Sequence, residues 1–189
     1  MTTPLIWYLL PARSTRLTQL FACVLGVALI AALAQLRFDI GPVPVTGQTL
    51  GVLLIAATYG ARLGGLTLLS YLAVGSAGLG VFAGGAGGLA VLRGGTAGFL
   101  VGFVLAAIVV GALSERGWTK TFTGTVLAML MGNVIIYVPG LIWLHQFAPD
   151  FGTTLAWGLT PFIPGDVIKL LLAAAALPLA WRFFGRSDA

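Results

Sequence analysis

Six stretches of this chain are dominated by Leu, Ala, Val, Ile, Phe and Gly, and polar or Gly/Pro-rich segments separate them. Within the stretches apolar residues do not alternate with polar ones, as they would in strands of a membrane barrel. They read as helices that are apolar all round, the kind a lipid bilayer surrounds. The pattern predicts spans at about 17–36, 47–60, 63–80, 94–113, 121–142 and 166–184. The first holds twenty residues, Leu17 to Leu36, about the number that crosses a hydrocarbon core. The second is short and is expected to be tilted or partly non-helical, with Gly60-Ala61-Arg62-Leu63-Gly64-Gly65 turning tightly into the third. Ahead of the first span, within residues 1–16, Leu5 to Leu10 with Trp7 and Tyr8 reads as a short interfacial helix stopped by Pro11. The expected fold class is all-α, an integral membrane bundle of six transmembrane helices.

Composition sharpens this picture. The 189 residues are 59% hydrophobic and 8% charged, against about 25% charged in soluble domains. Mean hydropathy is +1.04, so the chain cannot solvate its own surface. The net charge of +5 is not a nucleic-acid signature, because the basic residues are scattered singly. They report topology instead. The spans put Arg13, Arg16, Arg62, Arg116, Lys120, Arg182 and Arg186 on one side and Arg37 and Arg93 on the other, with Lys169 inside a span. By the positive-inside rule both termini are expected in the cytoplasm and the protein in the cell (inner) membrane. Arg13, Arg16, the apolar run and Ala32-Leu33-Ala34 also resemble a cleavable secretory signal. The long preceding stretch, with its own apolar piece, argues against cleavage. With one cysteine, Cys23, and one histidine, His145, neither an intrachain disulfide nor a Cys- or His-based metal site is expected. No catalytic residue and no cofactor are expected.

The unusual chemistry lies at the outer ends of the spans. Asp166 and Lys169 stand three apart on one helical face, at the head of a segment otherwise suited to lipid. A charge at the centre of such a helix costs about 2.5–3.5 kcal/mol on insertion scales, so two placed to pair suggest a polar site sunk into the protein. A plainer reading also stands, in which Asp166 caps the helix and Lys169 reaches to the interface. Three outer segments accompany the pair. Arg37 to Thr49 is held extended by Pro42 and Pro44 and brings Thr46, Gln48 and Thr49 to the membrane edge. Gly78 to Gly88 is glycine-rich, without a P-loop lysine or dinucleotide-binding spacing. The third runs from Trp143 to Gly165. Loops of this kind beside a buried pair fit a ligand pocket with a mobile lid. Ala28 and Ala32, four apart in the first span, allow close helix contact.

Four motifs follow one another along the chain: Pro42-Val43-Pro44-Val45-Thr46-Gly47-Gln48-Thr49-Leu50; Gly80 to Gly85; Gly94-Gly95-Thr96-Ala97-Gly98-Phe99-Leu100-Val101-Gly102-Phe103; and Pro161-Phe162-Ile163-Pro164-Gly165-Asp166-Val167-Ile168-Lys169. Together they closely resemble the BioY family, the biotin-binding S components of energy-coupling factor (ECF) transporters, over nearly the whole chain. The resemblance implies a single six-helix substrate-binding domain over residues 1–189, with a biotin pocket near the outer face. It implies roles for Asp166 and Lys169 in transport, for Phe82, Gly84 and Gly85 in enclosing the ligand, and for Tyr137 and Trp143 as aromatic walls. Thr46 and Gln48 are expected to bind the ligand too, and Ala28 and Ala32 to dock a transmembrane coupling subunit. The chain departs from the family's Gly-Pro-Thr-Gly-Gly-Tyr at Gly94 to Phe99, losing a proline and a phenolic hydroxyl. No ATP-binding motif is present, so energised uptake requires the coupling subunit and two ABC-type ATPases as partners. No nucleic-acid partner is expected. The alternatives are an S component for thiamine or riboflavin and, from another class, an intramembrane lipid-modifying enzyme. The latter lacks a second carboxylate, a metal cluster or an activated nucleophile.

Overall fold

The computed structural model describes residues 2–9 and 15–184. Pro11, Arg13 and Arg186, which entered the helix-stop and topology expectations, lie outside the described residues. Among the described residues there are seven α-helices: α1 Ile6–Leu9, α2 Arg16–Gln35, α3 Gln48–Ser76, α4 Ala97–Glu115, α5 Phe122–Leu144, α6 Phe151–Gly158 and α7 Ile163–Phe184. Five of them, α2, α3, α4, α5 and α7, are long and apolar enough to cross a membrane. Large apolar side chains such as Leu17, Phe21, Val134, Ile142 and Ile168 stand exposed around them. The chain is a multi-pass membrane protein.

The expected spans at 47–60 and 63–80 are continuous in α3, whose 29 residues include one non-helical position, Gly60, at φ 78° and ψ 179°. That combination is open essentially to glycine alone. It folds the helix back on itself. A Cβ on Gly64 would lie 3.5 Å from Ala56 Cα, and Gln48 Nε2 donates to the Tyr71 hydroxyl at 2.9 Å. The arms 48–59 and 61–76 therefore run antiparallel. Glu115, at the end of α4, accepts the Ala61 N–H at 2.9 Å and secures the turn.

Helix α2 starts at Thr15, whose hydroxyl accepts the Thr18 N–H at 3.2 Å. Its inner seam is Ala22, Gly26, Ile30 and Ala34, four residues apart and packed on α3. Helix α4 packs on α3, α5 on α4, and α7 on α5 and back on α3, which closes the bundle. The short α1 is not a free interfacial helix. Leu5 and Ile6 are buried, Thr2 N–H donates to Glu115 O at 2.7 Å, and Tyr8 meets the Trp181 ring edge-on at 6.1 Å. Residues 2–9, the Gly60 turn and the end of α7 thus share one end of the bundle.

The opposite end carries the irregular segments. Arg37–Phe38 pairs antiparallel with Val45–Thr46, so the prolines ride on a short β-hairpin loop. The expected loop from Trp143 to Gly165 contains α6. Asp150 caps this helix by accepting the Thr153 N–H at 2.8 Å, and that bond holds its carboxyl below the usual carboxylate range.

Candidate functional site

At this irregular end the bundle encloses a cavity of about 320 Å³. Its walls come from the Pro42–Pro44 loop, the head of α3, the glycine-rich loop, α4, α5 and Phe162. They are mostly aromatic and aliphatic. Phe99 stacks on Phe162 with centroids 6.3 Å apart, and Tyr137 stands edge-on to both. Phe82 is 2% exposed and meets the Tyr71 ring edge-on. The polar side chains in the lining are Gln48, Thr49, Thr96 and Tyr137.

Two hydrogen-bond networks set these polar groups. In the first, Thr46 Oγ1 donates to Gln48 Oε1, Gln48 Nε2 donates to the Tyr71 hydroxyl, and that hydroxyl donates to Val81 O, each at 2.9 Å. Gln48 is thereby oriented and tied to the loop that holds Phe82. One hydrogen on its Nε2 stays available. In the second, Lys169 Nζ donates to Thr46 O at 2.8 Å, Thr49 Oγ1 at 2.7 Å and Asp166 Oδ1 at 3.1 Å. Asp166 also accepts from Thr49 Oγ1 at 3.3 Å and from the Tyr137 hydroxyl.

This arrangement decides between the two sequence readings of the pair. Helix α7 begins at Ile163, with Pro164 tolerated in its first turn, and the Asp166 N–H already bonds Phe162 O at 2.8 Å. Asp166 is inside the helix, and its carboxylate meets side chains rather than the backbone N–H groups a cap would satisfy. Lys169 does not reach for the interface, because all three of its hydrogens are taken within the protein. The side chains are 17% (Lys169) and 8% (Asp166) exposed. Neither lines the large cavity: the pair lies behind its wall and holds the Thr49 and Tyr137 hydroxyls from the rear.

The other expected site residues divide. Gln48, Phe82 and Tyr137 line the cavity, while Thr46 supports Gln48 from outside it. Gly84 and Gly85 do not line it; their neighbours Ala83 and Ala86 do. Gly84, at φ 68°, lets the loop bend close under Arg37, whose guanidinium a Cβ there would strike. Trp143 is not a wall. Its Nε1 donates to Gly94 O at 2.9 Å and clamps the α4 entry loop, whose Gly94 and Gly95 line the cavity. Phe99 lines the cavity. Thr49, Phe99 and Phe162 sit in the motifs that stand out in the sequence, yet nothing in their type separates lining from packing. Ala28 and Ala32 are exposed on the outer face of α2.

Comparison with known proteins bears on the family and the fold. A family model described as the BioY family matches residues 9–186. The biotin transporter BioY of Rhizobium etli is 39% identical over 170 residues, covering 86% of this chain and 89% of that protein. The biotin transporter BioY of Thermotoga maritima is 37% identical over 156 residues, with 82% and 91% covered. The crystal structure of an S component for biotin from an ECF-type ABC transporter superposes with a TM-score of 0.77 at 25% identity, covering 94% of this chain and 96% of that one.

Proposed function

The chain belongs to the BioY family, and on that premise we propose that it captures biotin at the outer face of the cell membrane and acts as the S component of an ECF-type importer. The observation that carries this reading is the 320 Å³ apolar cavity, two of whose polar side chains, Thr49 and Tyr137, are held from behind by a buried ion pair. Biotin needs such a combination. Its ureido ring offers two N–H donors and one carbonyl, while its fused ring and sulfur are apolar. The Tyr137 hydroxyl, which donates its hydrogen bond to Asp166, has an oxygen polarised to accept from a ureido N–H. The spare Gln48 hydrogen can meet the carbonyl. Phe82, Phe99 and Phe162 take the ring and its sulfur. Among the described residues no charged side chain lines the cavity, which leaves the valerate carboxylate to its open side; Arg37, packed over Gly84, is already paired with Asp39 at 2.9 Å. Asp166, Lys169 and Thr46 act by fixing the wall, and Gly84, Gly85 and Trp143 by shaping the loops that close it.

Titration of the purified protein with biotin, thiamine and riboflavin tests the reading. Saturable binding of biotin alone is expected. Saturation by another vitamin in its place would reassign the ligand, and binding of none would remove the proposal.

The arms of α3 count as separate passes, which makes six crossings in one substrate-binding unit. At about 1.5 Å per residue each arm is shorter than a hydrocarbon core of about 30 Å. Neighbouring helices cover much of both, and 61% of the 18-residue apolar stretch of α3 is buried. With the end bearing residues 2–9 and the tail of α7 facing the cytoplasm, the basic residues follow the positive-inside rule. In a Cys23→Ala background, Ile40→Cys and Leu79→Cys should both react with a membrane-impermeant thiol reagent in intact cells. Labelling of only one would mean that α3 crosses once. The exposed Ala28 and Ala32 offer a flat, small-residue face for a coupling subunit carrying two ATPases.

A further inference from the structure

A second cavity, of about 10 Å³, adjoins the ion pair among α3, α5 and α7, and Thr49, Met129, Asn133, Asp166 and Lys169 are in its lining. Its size is that of a single water. Among the described residues, Asn133 Oδ1 is the one buried side-chain oxygen or nitrogen with no hydrogen-bond partner. Asn133 and Tyr137 are four residues apart and share one face of α5, so both approach Asp166 from the same helix. A buried amide oxygen is costly unless a donor meets it. Lys169 cannot be that donor, since Thr46 O, Thr49 Oγ1 and Asp166 Oδ1 take its three hydrogens. Asp166, in the lining of the same small cavity, is itself an acceptor and has no hydrogen to give. A cation would stand beside the Lys169 ammonium. A water suits both groups, giving one hydrogen to Asn133 Oδ1 and the other to the Asp166 carboxylate. Exchanging the amide's oxygen and nitrogen would reverse the first of these bonds and keep the water.

We propose that Asn133, through one buried water, supports the Asp166 carboxylate and is thereby a positioning residue for the ligand cavity. Its influence passes from Asp166 to the Tyr137 and Thr49 hydroxyls, which carry it to the cavity wall. The proposal rests on the biotin reading above for its functional consequence, and on the small cavity and the unpartnered Asn133 Oδ1 for the water.

The test compares biotin titrations of wild type, Asn133→Leu, Asn133→Ser and Asp166→Asn, and of Asn133→Leu combined with Asp166→Asn, each checked for folding by its thermal unfolding curve. Asn133→Leu, of similar size but without polar atoms, should weaken biotin binding about tenfold, or about 1.4 kcal/mol. Asn133→Ser, which keeps a hydroxyl and leaves room for water, should stay within about twofold of wild type on the same scale. In the Asp166→Asn background the Leu substitution should add less than about twofold, because residues acting through one network are not additive. Wild-type affinity of Asn133→Leu, or the same loss in both backgrounds, would overturn the positioning role. A high-resolution crystal structure of the wild type should show one water between Asn133 and Asp166, and its absence would overturn the bridge whatever the variants do. Failure of the wild type to bind biotin would strike the biotin reading and leave the water to be judged by that structure.

Discussion

Replacing Asp166 by Asn is expected to weaken biotin binding by at least about tenfold, equivalent to 1.4 kcal/mol, and to lower the stability of the protein. Asn keeps the shape of the side chain but not its charge. One carboxylate now satisfies three donors, from Lys169, Thr49 and Tyr137. An amide offers one oxygen and brings two hydrogens of its own, so at least one of those donors faces another donor. The Lys169 ammonium is left without its counter-charge in a segment surrounded by lipid. Breaking a fully buried pair costs about 3–5 kcal/mol, and the 17% exposure of the Lys169 side chain places this case below that range. Loss of a helix cap cannot account for the effect, because among the described residues the carboxylate accepts from the side chains of Thr49, Tyr137 and Lys169 and from no backbone N–H. Lys169→Met keeps the length of the stem and should do similar harm from the other side, stripping Thr46 O and Thr49 Oγ1 of their donor. Calorimetric titration of both folded variants checks this. Wild-type affinity in both would show that the wall of the cavity holds its geometry without the pair.

A single methyl group at position 60 should do comparable damage by a different route. Gly60→Ala places an L side chain at φ 78° and ψ 179°, a strain on the order of 1–3 kcal/mol. Its Cβ would also strike Glu115 Oε1 and lie 2.9 Å from Pro4 Cγ, so the Glu115 bond to the Ala61 N–H must give way. Turn and latch fail together, and the arms of α3 lose the register that brings Gln48 to Tyr71. The expected outcome is a lower unfolding temperature in detergent, with weaker biotin binding at the far end of the bundle. Gly41→Ala is the control, since a Cβ there meets nothing within 4 Å. If Gly60→Ala unfolds at the wild-type temperature, the turn is not what holds the hairpin.

The turn at Gly60 and the pairing of Asp166 with Lys169 are legible in the sequence because both are local. A glycine beside a short apolar run, and opposite charges three apart, announce themselves at the scale of one helical turn. The membrane class is equally legible, since apolar surface without charge has no place in water. The extended backbone expected at Pro42 and Pro44 is instead bent over Ile40–Val43, because the pairing of Arg37–Phe38 with Val45–Thr46 turns the segment into a hairpin loop. The rest was decided only when the helices packed. A lipid-facing residue and a core residue are chosen for the same apolar character, so a span that is apolar all round carries no stripe to say which face looks inward. Ala28 and Ala32 stand outside while Ala22 and Ala34 are sealed within, and the letters are the same. Nor could spacing along the chain reveal that Thr49 and Tyr137 meet one carboxylate from two different helices. It could not show that Trp143 spends its N–H on Gly94 instead of facing the cavity, or that Asn133 lies beside the pair. Those contacts join residues far apart in the chain, and only the tertiary fold brings them within bonding distance.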